Sequence, residues 1–218
     1  MYARWKEVAD TNGRSVRFLH MLLLLDLSIL SAHLTIGLVP PGAHGPTSVW
    51  NLAMERGVSE VVEYGKTLAC AGLIAWVAVR TRQTAFTFFA CLYFVAFLDN
   101  AFELHERTGD QGARFGLSDH IAQFVLLAAF AVTMLAAAVA ATLRTDAAYR
   151  PAATALLALF ALLAFFSVVL DALQLPTIVE DGGELVVLSL HLFAASLLVG
   201  GAGRTPATRG RDAQARPA

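Results

Sequence analysis

Charged residues are scarce in this chain. Asp, Glu, Lys and Arg together account for 15% of its 218 residues, whereas an average soluble domain contains roughly 25%. Hydrophobic residues account for 57% of the chain, and the mean hydropathy is +0.61. This balance disfavours an ordinary soluble domain and predicts a protein of the membrane class.

The chain has only two cysteines and no recognisable nucleotide-binding motif. The two cysteines, Cys70 and Cys91, lie in apolar runs without the spacing of metal ligands. We therefore predict thiols that pack as small hydrophobic side chains rather than a disulfide. The sequence has no phosphate-binding loop, dinucleotide fingerprint or serine nucleophile elbow. Since the net charge is only −1, neither nucleotides nor nucleic acids are expected as partners.

Long hydrophobic runs, by contrast, are abundant. A helix needs ~20 apolar residues to cross the ~30 Å hydrocarbon core of a bilayer. Six segments meet this requirement, at residues 16–38, 58–80, 83–104, 119–143, 152–173 and 177–201. We predict an all-α fold, a polytopic membrane helical bundle of about six transmembrane helices. Its predicted parts are an N-terminal tail, the helical domain and a basic, disordered C-terminal tail, at residues 1–15, 16–201 and 202–218.

The placement of lysine and arginine predicts an orientation. Twelve of these residues fall in the two terminal tails and in the loops after the second and fourth segments, which share one side of a six-span bundle. The other side holds only Arg56, Arg107 and Arg114. Because cytoplasmic loops carry the excess of positive charge, we expect both termini to lie inside a cytoplasmic (inner) membrane, with the lipid bilayer as a partner.

Acidic residues and histidines gather at the predicted outer ends of the helices. Helical spacing places Asp99, Glu103 and Glu106 on one stripe, and Glu180 and Glu184 on another. Carboxylates that face lipid are costly, so these stripes should face the bundle interior or a water-filled pocket. The predicted metal ligands in this pocket are Glu63, Asp99, Glu103, His105, Glu106, His120, Glu180, Asp181 and Glu184.

Such a pocket predicts cation chemistry. Converging carboxylates repel one another unless they share protons, meet a basic side chain such as Lys66, or bind a cation. Mixed Asp, Glu and His ligands suit zinc, manganese or iron, and acid-dominated sets suit magnesium or calcium. With one coordination position open, activated water could hydrolyse a lipid-borne ester, amide or phosphoester. Glu103 and Glu184 are the candidate general bases.

Several alternatives remain open at this point. Asp26 and His191 fall near the middle of their helices, where an ionisable residue is a functional candidate by default. With Lys66 they could form a proton or cation relay, although polar residues become rare toward the cytoplasmic side. Asp26 and His191 could instead pair with each other in a purely structural network. A non-catalytic membrane module that senses a lipid or small-molecule ligand or binds a partner protein is a further interpretation, and so is a haem held by His33 and His120.

Three motifs resemble those of a known group. EYGK in the second segment, LDNAFELHE in the third and IVEDGGELVVLSL in the sixth resemble a group of uncharacterised multi-pass bacterial membrane proteins. That group typically has two acids where this chain has Asp99-Asn100. The resemblance implies no activity, but it implies a shared pattern of Glu63, Lys66, Asp99, His105, Glu106, Glu180, Asp181 and Glu184.

A looser analogy connects the chain to ceramidase-like membrane hydrolases. Their zinc is held by Ser, Asp and His residues, and this chain contains Ser118-Asp119-His120. The chain lacks the paired histidines one turn apart that those hydrolases carry. It also has one predicted span fewer than their seven.

Overall fold

The protein forms a helical bundle. Its computed structural model describes residues 2–37, 52, 57–102, 104, 107, 119–170, 173 and 176–202. Regular structure in these residues is entirely helical, as α1 (Tyr2–Gly37), α2 (Val58–Thr81), α3 (Thr84–Phe102), α4 (Asp119–Leu143), α5 (Arg150–Ala164) and α6 (Thr177–Ala202). A π-helical turn, Phe165–Leu170, directly continues α5.

The predicted all-α class and the six apolar helices are confirmed. Within the described residues, six helices are long and apolar enough to cross a membrane, if the π-helical turn is counted with α5. Their bounds agree with the predicted segments to within a few residues, except that α1 begins at Tyr2. Most of the predicted N-terminal tail is therefore helical, and residues 203–218 lie outside the described part of the chain.

Burial is uneven among the helices. In α2 and α6, 44% of the most apolar window is buried inside the bundle, against 11% in α1 and α4. The main core lies between α2, α3, α5 and α6, where Ile74, Phe86, Phe89 and Leu156 are completely buried. Outward-facing side chains on α4 include Val125 and Val132, which are more than half exposed. Thus α2 and α6 form the centre, and α1 and α4 lie at the periphery.

One end of the bundle is closed by two linked loops. Arg82 ends α2 in a left-handed conformation with φ of 54°, and its N–H donates to the carbonyl of Ala78 at 2.7 Å. The next residue, Gln83, exchanges two hydrogen bonds with Asp146 in the loop between α4 and α5. The α2–α3 and α4–α5 loops therefore lie at the same end.

The opposite end is shaped by a close approach between α6 and the π-helical turn. A Cβ atom on Gly183 would lie 2.1 Å from the ring of Phe166, which is too close for any side chain. A Cβ on Gly182 would lie 2.8 Å from Leu30 of α1. The two glycines therefore let α6 pack against both neighbours beside the acidic start of the helix.

Candidate ligand cavity

A cavity of about 470 Å³ opens at the end of the bundle opposite the linked loops. It is lined by the first half of α2, the end of α3, the start of α6, the middle of α4, and α5 with its π-helical turn. Leu52 also contributes to the lining. Pockets that bind small molecules are roughly 300–1,000 Å³, so the space suits a ligand of several heavy atoms.

Six carboxylates form one part of the cavity, which we call the acidic wall. It consists of Glu60, Glu63, Asp99, Glu180, Asp181 and Glu184. Glu63 is only 7% exposed. Its titratable neighbours are Glu184, Asp181 and Glu60, which are acidic, and Lys66, which is basic. The described lining residues thus include six acidic side chains and no Lys, Arg or His.

Apolar side chains form a second part, which we call the apolar wall. It consists of Leu127, Phe130 and Ala131 from α4 with Phe160, Leu163 and Ala164 from α5. These helices contribute no carboxylate to the described lining, and the acidic wall comes from α2, α3 and α6. The cavity is therefore two-sided, with charge and hydrophobic surface supplied by different helices.

Neutral polar side chains of α2 lie beside the carboxylates of the acidic wall. The Tyr64 hydroxyl donates to Oε2 of Glu60 at 2.8 Å, and the Thr67 hydroxyl donates to the backbone carbonyl of Glu63 at 2.8 Å. Ser59 differs from both. Its side chain is 3% exposed and lines the cavity, and its Oγ has no hydrogen-bond partner in the described part of the chain. A buried hydroxyl without a partner carries an unmet desolvation cost.

A buried ion pair lies behind the cavity. Lys66 of α2 donates to Oδ1 of Asp26 on α1 and, at 2.9 Å, to the backbone carbonyl of Leu185 on α6. The Ser189 hydroxyl donates to Oδ2 of Asp26 at 2.6 Å. Each group in this network has a partner, and together they connect three helices. The partners of Asp26 are therefore Lys66 and Ser189, and not His191 as one sequence interpretation held.

His191 lies in a separate, fully buried environment. It is completely buried, and the edge of its ring meets Tyr93 with centroids 5.3 Å apart. Its Nδ1–H donates to the Val187 carbonyl at 2.9 Å, so Nε2 is left as an acceptor. Neither Nε2 nor the Tyr93 hydroxyl has a hydrogen-bond partner in the described residues. His191 does not line the cavity.

One family model matches the chain, over residues 19–199, and its description is Domain of unknown function (DUF8692). The chain belongs to the DUF8692 family. No curated protein and no solved structure matches it. Family membership agrees with the predicted resemblance to uncharacterised proteins, whereas the motif-level likeness and the ceramidase analogy stay predictions. The cavity, the buried ion pair and His191 all lie within the DUF8692 domain.

The structure brings together several of the predicted site residues of the DUF8692 domain. Those that line the cavity are Glu63, Asp99, Glu180, Asp181 and Glu184. Lys66 lies behind it, with its ammonium group turned to Asp26. Glu103, His105 and Glu106 lie outside the described residues, and His120 is placed only as part of α4. The apolar wall and Ser59 were not identified from the sequence.

The predicted metal site is not assembled by the described residues alone. Among them, no group of three or more His, Cys, Asp or Glu side chains has an arrangement that could hold a metal ion. The carboxylates of the acidic wall line the cavity without converging as such a group. Metal binding, with the proposed ligands Glu103, His105, Glu106 and His120, therefore stays a prediction.

Proposed function

We propose that this protein is a multi-pass membrane protein that binds a cation in its cavity. The observation that carries the proposal is the lining, which combines six carboxylates with no basic side chain among its described residues. Ionised carboxylates in a confined space repel one another, and a bound cation relieves that repulsion. A cation is therefore the ligand class that best matches the charge of this cavity.

The charge distribution along the bundle supports an outward-facing cavity. Arg80, Arg82, Arg144 and Arg150 flank the linked loops at the end opposite the cavity. The positive-inside rule assigns that end to the cytoplasm. With six spans, both termini then also lie in the cytoplasm, and the acidic wall faces the outer side of the cytoplasmic membrane.

The identity of the cation divides the proposal into two branches. A divalent metal ion would need ligands beyond the described residues, and Glu103 or Glu184 would then be available as a base for hydrolysis. An organic cation would need only the carboxylates that line the cavity and enough volume to hold it. Because the buried ion pair has partners for both of its charges, we assign it to holding the helices together rather than to transport.

Thermal unfolding of the full chain in dodecylmaltoside micelles tests cation binding. A ligand that binds the folded protein raises its unfolding midpoint in proportion to the logarithm of ligand concentration. We expect at least one of Mn²⁺, Zn²⁺, Ca²⁺ or hexylammonium to raise the midpoint at constant ionic strength. The rise should largely disappear in the Glu63→Gln/Glu184→Gln double variant.

Asp146→Asn is the matched control. It removes one carboxylate from the linked-loop end, far from the cavity, and an amide can still bond to Gln83. This variant should keep the full cation response. The proposal is wrong if no cation shifts the midpoint of the natural protein, or if the double variant responds as strongly as the control. Elemental analysis of the purified protein shows whether the metal branch applies.

A further inference from the structure

We propose that the ligand is an organic ammonium ion with an apolar body of several carbon atoms. This inference rests on the proposed cation site and names the chemical class of its ligand. The two walls of the cavity differ in chemical character. The acidic wall would hold the ammonium group, and the apolar wall would hold the hydrocarbon part.

The distribution of the carboxylates favours a ligand larger than a bare metal ion. A metal ion needs several oxygen or nitrogen ligands converging at about 2.0–2.6 Å. No three of the described acidic or histidine side chains do this, and the cavity volume is about 470 Å³. An ammonium group needs fewer and longer contacts, because its N–H groups donate hydrogen bonds to oxygens about 2.7–2.9 Å away.

Ser59 supplies an independent indication of a ligand. Its hydroxyl is buried in the cavity wall and has no protein partner in the described residues. Buried polar groups are almost always hydrogen-bonded, to protein, water or ligand. Ser59 is one turn of α2 from Glu63, so both side chains could accept hydrogen bonds from one ammonium group once the buried Ser59 hydroxyl turns toward the cavity. Such a contact would satisfy the hydroxyl when the ligand is bound.

The apolar wall distinguishes an organic cation from a hydrated inorganic one. Leu127, Phe130, Phe160 and Leu163 offer no hydrogen bond to the water shell of a metal ion. They can, however, exclude water around a hydrocarbon chain, which favours binding. A phospholipid headgroup fits less well, because its phosphate would face the acidic wall with no basic side chain among the described lining residues.

Isothermal titration of the full chain in dodecylmaltoside, corrected for micelle uptake, tests this ligand class with four probes. Hexylammonium has both features, methylammonium has the charge alone, 1-hexanol has the apolar body alone, and Mn²⁺ represents a divalent metal. We expect hexylammonium to bind at least about tenfold more tightly than methylammonium or 1-hexanol, because only hexylammonium engages both walls. Glu63→Gln/Glu184→Gln should weaken hexylammonium binding by about tenfold or more.

A pair of adjacent leucines provides the matched control for the apolar wall. Leu163 lines the cavity, whereas Leu162 is 39% exposed and does not line it. Leu163→Ala should weaken hexylammonium binding by about threefold or more and leave methylammonium binding unchanged. Leu162→Ala should change neither. Ser59→Ala should weaken binding of both ammonium probes without lowering the unfolding midpoint.

The outcomes separate this inference from the proposed function. If Mn²⁺ binds in a manner that depends on Glu63 and Glu184 while hexylammonium does not, cation binding stands and the organic ligand is wrong. If hexylammonium binds no more tightly than methylammonium, or Leu163→Ala has no effect, the apolar wall has no role and the inference is wrong. If none of the charged probes binds, both proposals are wrong.

Discussion

Asp26 and Lys66 are almost completely buried, and each compensates the charge of the other. They are 1% and 4% exposed, and the network around them includes the Ser189 hydroxyl and the Leu185 carbonyl. Removing one member of a buried pair leaves an uncompensated charge and typically costs ~3–5 kcal/mol, whereas replacing both members with apolar residues is often neutral. This asymmetry makes the pair testable.

We expect Lys66→Met and Asp26→Leu each to lower the free energy of unfolding by roughly 3 kcal/mol. The double variant should recover most of that loss, because no unpaired charge remains. Equilibrium unfolding in dodecylmaltoside measures these differences. Arg17→Met is the control, because Arg17 is an exposed charge on α1 that donates a hydrogen bond to the Gly13 carbonyl of the same helix. This variant should change stability by less than about 0.5 kcal/mol. A double variant no more stable than the single ones would contradict a self-contained pair.

Individual residues also show what the sequence could and could not predict about the site. Glu63 and Glu184 were predicted to face a pocket because a carboxylate on the lipid face is costly, and that argument needs no knowledge of the partners. Leu163 and Leu162 are both apolar, and hydrophobicity alone cannot decide which of them faces a cavity. The pairing of Lys66 with Asp26 depends on how α1 and α2 are each rotated against α6, which composition and spacing do not determine.

At the scale of the helices, the most demanding contact is the packing of Phe166 on Gly183. This contact brings the π-helical turn against the start of α6, between Asp181 and Glu184 of the acidic wall. The irregular turn was not predicted, because its apolar residues fit a regular helix equally well. A change at Gly183 should therefore affect both the packing of the bundle and the shape of the cavity.

Gly183→Ala should lower the free energy of unfolding by ~1–3 kcal/mol, since the added methyl group forces Phe166 out of place. Gly72→Ala is the matched control. Gly72 lies inside α2 with open space around it, so alanine there should be neutral or stabilise the helix by up to ~1 kcal/mol. Unfolding in dodecylmaltoside measures both variants. If the Phe166→Leu/Gly183→Ala double variant is more stable than Gly183→Ala alone, the Phe166 ring is the obstacle. Equal effects of Gly183→Ala and Gly72→Ala on the free energy of unfolding would contradict the close packing.

At the scale of the whole molecule, the six helices and their bounds were largely predictable. A helix that crosses a bilayer needs a minimum number of apolar residues, which is set by the thickness of the hydrocarbon core. Such long apolar runs can be read directly from the sequence. The start of α1 was not predicted, because its first residues are too polar to count toward a span. Orientation stays a prediction that depends on the positive charges near the linked loops, and it requires a direct test.

Site-directed labelling would establish the orientation. In a Cys70→Ala/Cys91→Ala background, single cysteines can be placed at Arg144 and Pro176, two exposed positions at opposite ends of the bundle. A maleimide that cannot cross membranes should label Pro176→Cys in intact cells and Arg144→Cys only after the membrane is permeabilised. Labelling of Arg144→Cys in intact cells would place the cavity on the cytoplasmic side. Equal labelling of both in intact cells would contradict a single orientation.

The buried ion pair also has a consequence for how the protein is made. Asp26 precedes Lys66 by 40 residues, so in the proposed membrane topology α1 reaches the insertion machinery before the partner of its carboxylate has been synthesised. A lone carboxylate at the middle of a membrane helix costs ~2.5–3.5 kcal/mol during insertion. We expect α1 to be held beside the translocon until α2 emerges, and the two helices to leave for the lipid together. The charge pair would then be the first link between α1 and α2, and α6, which packs against both helices, would join them later.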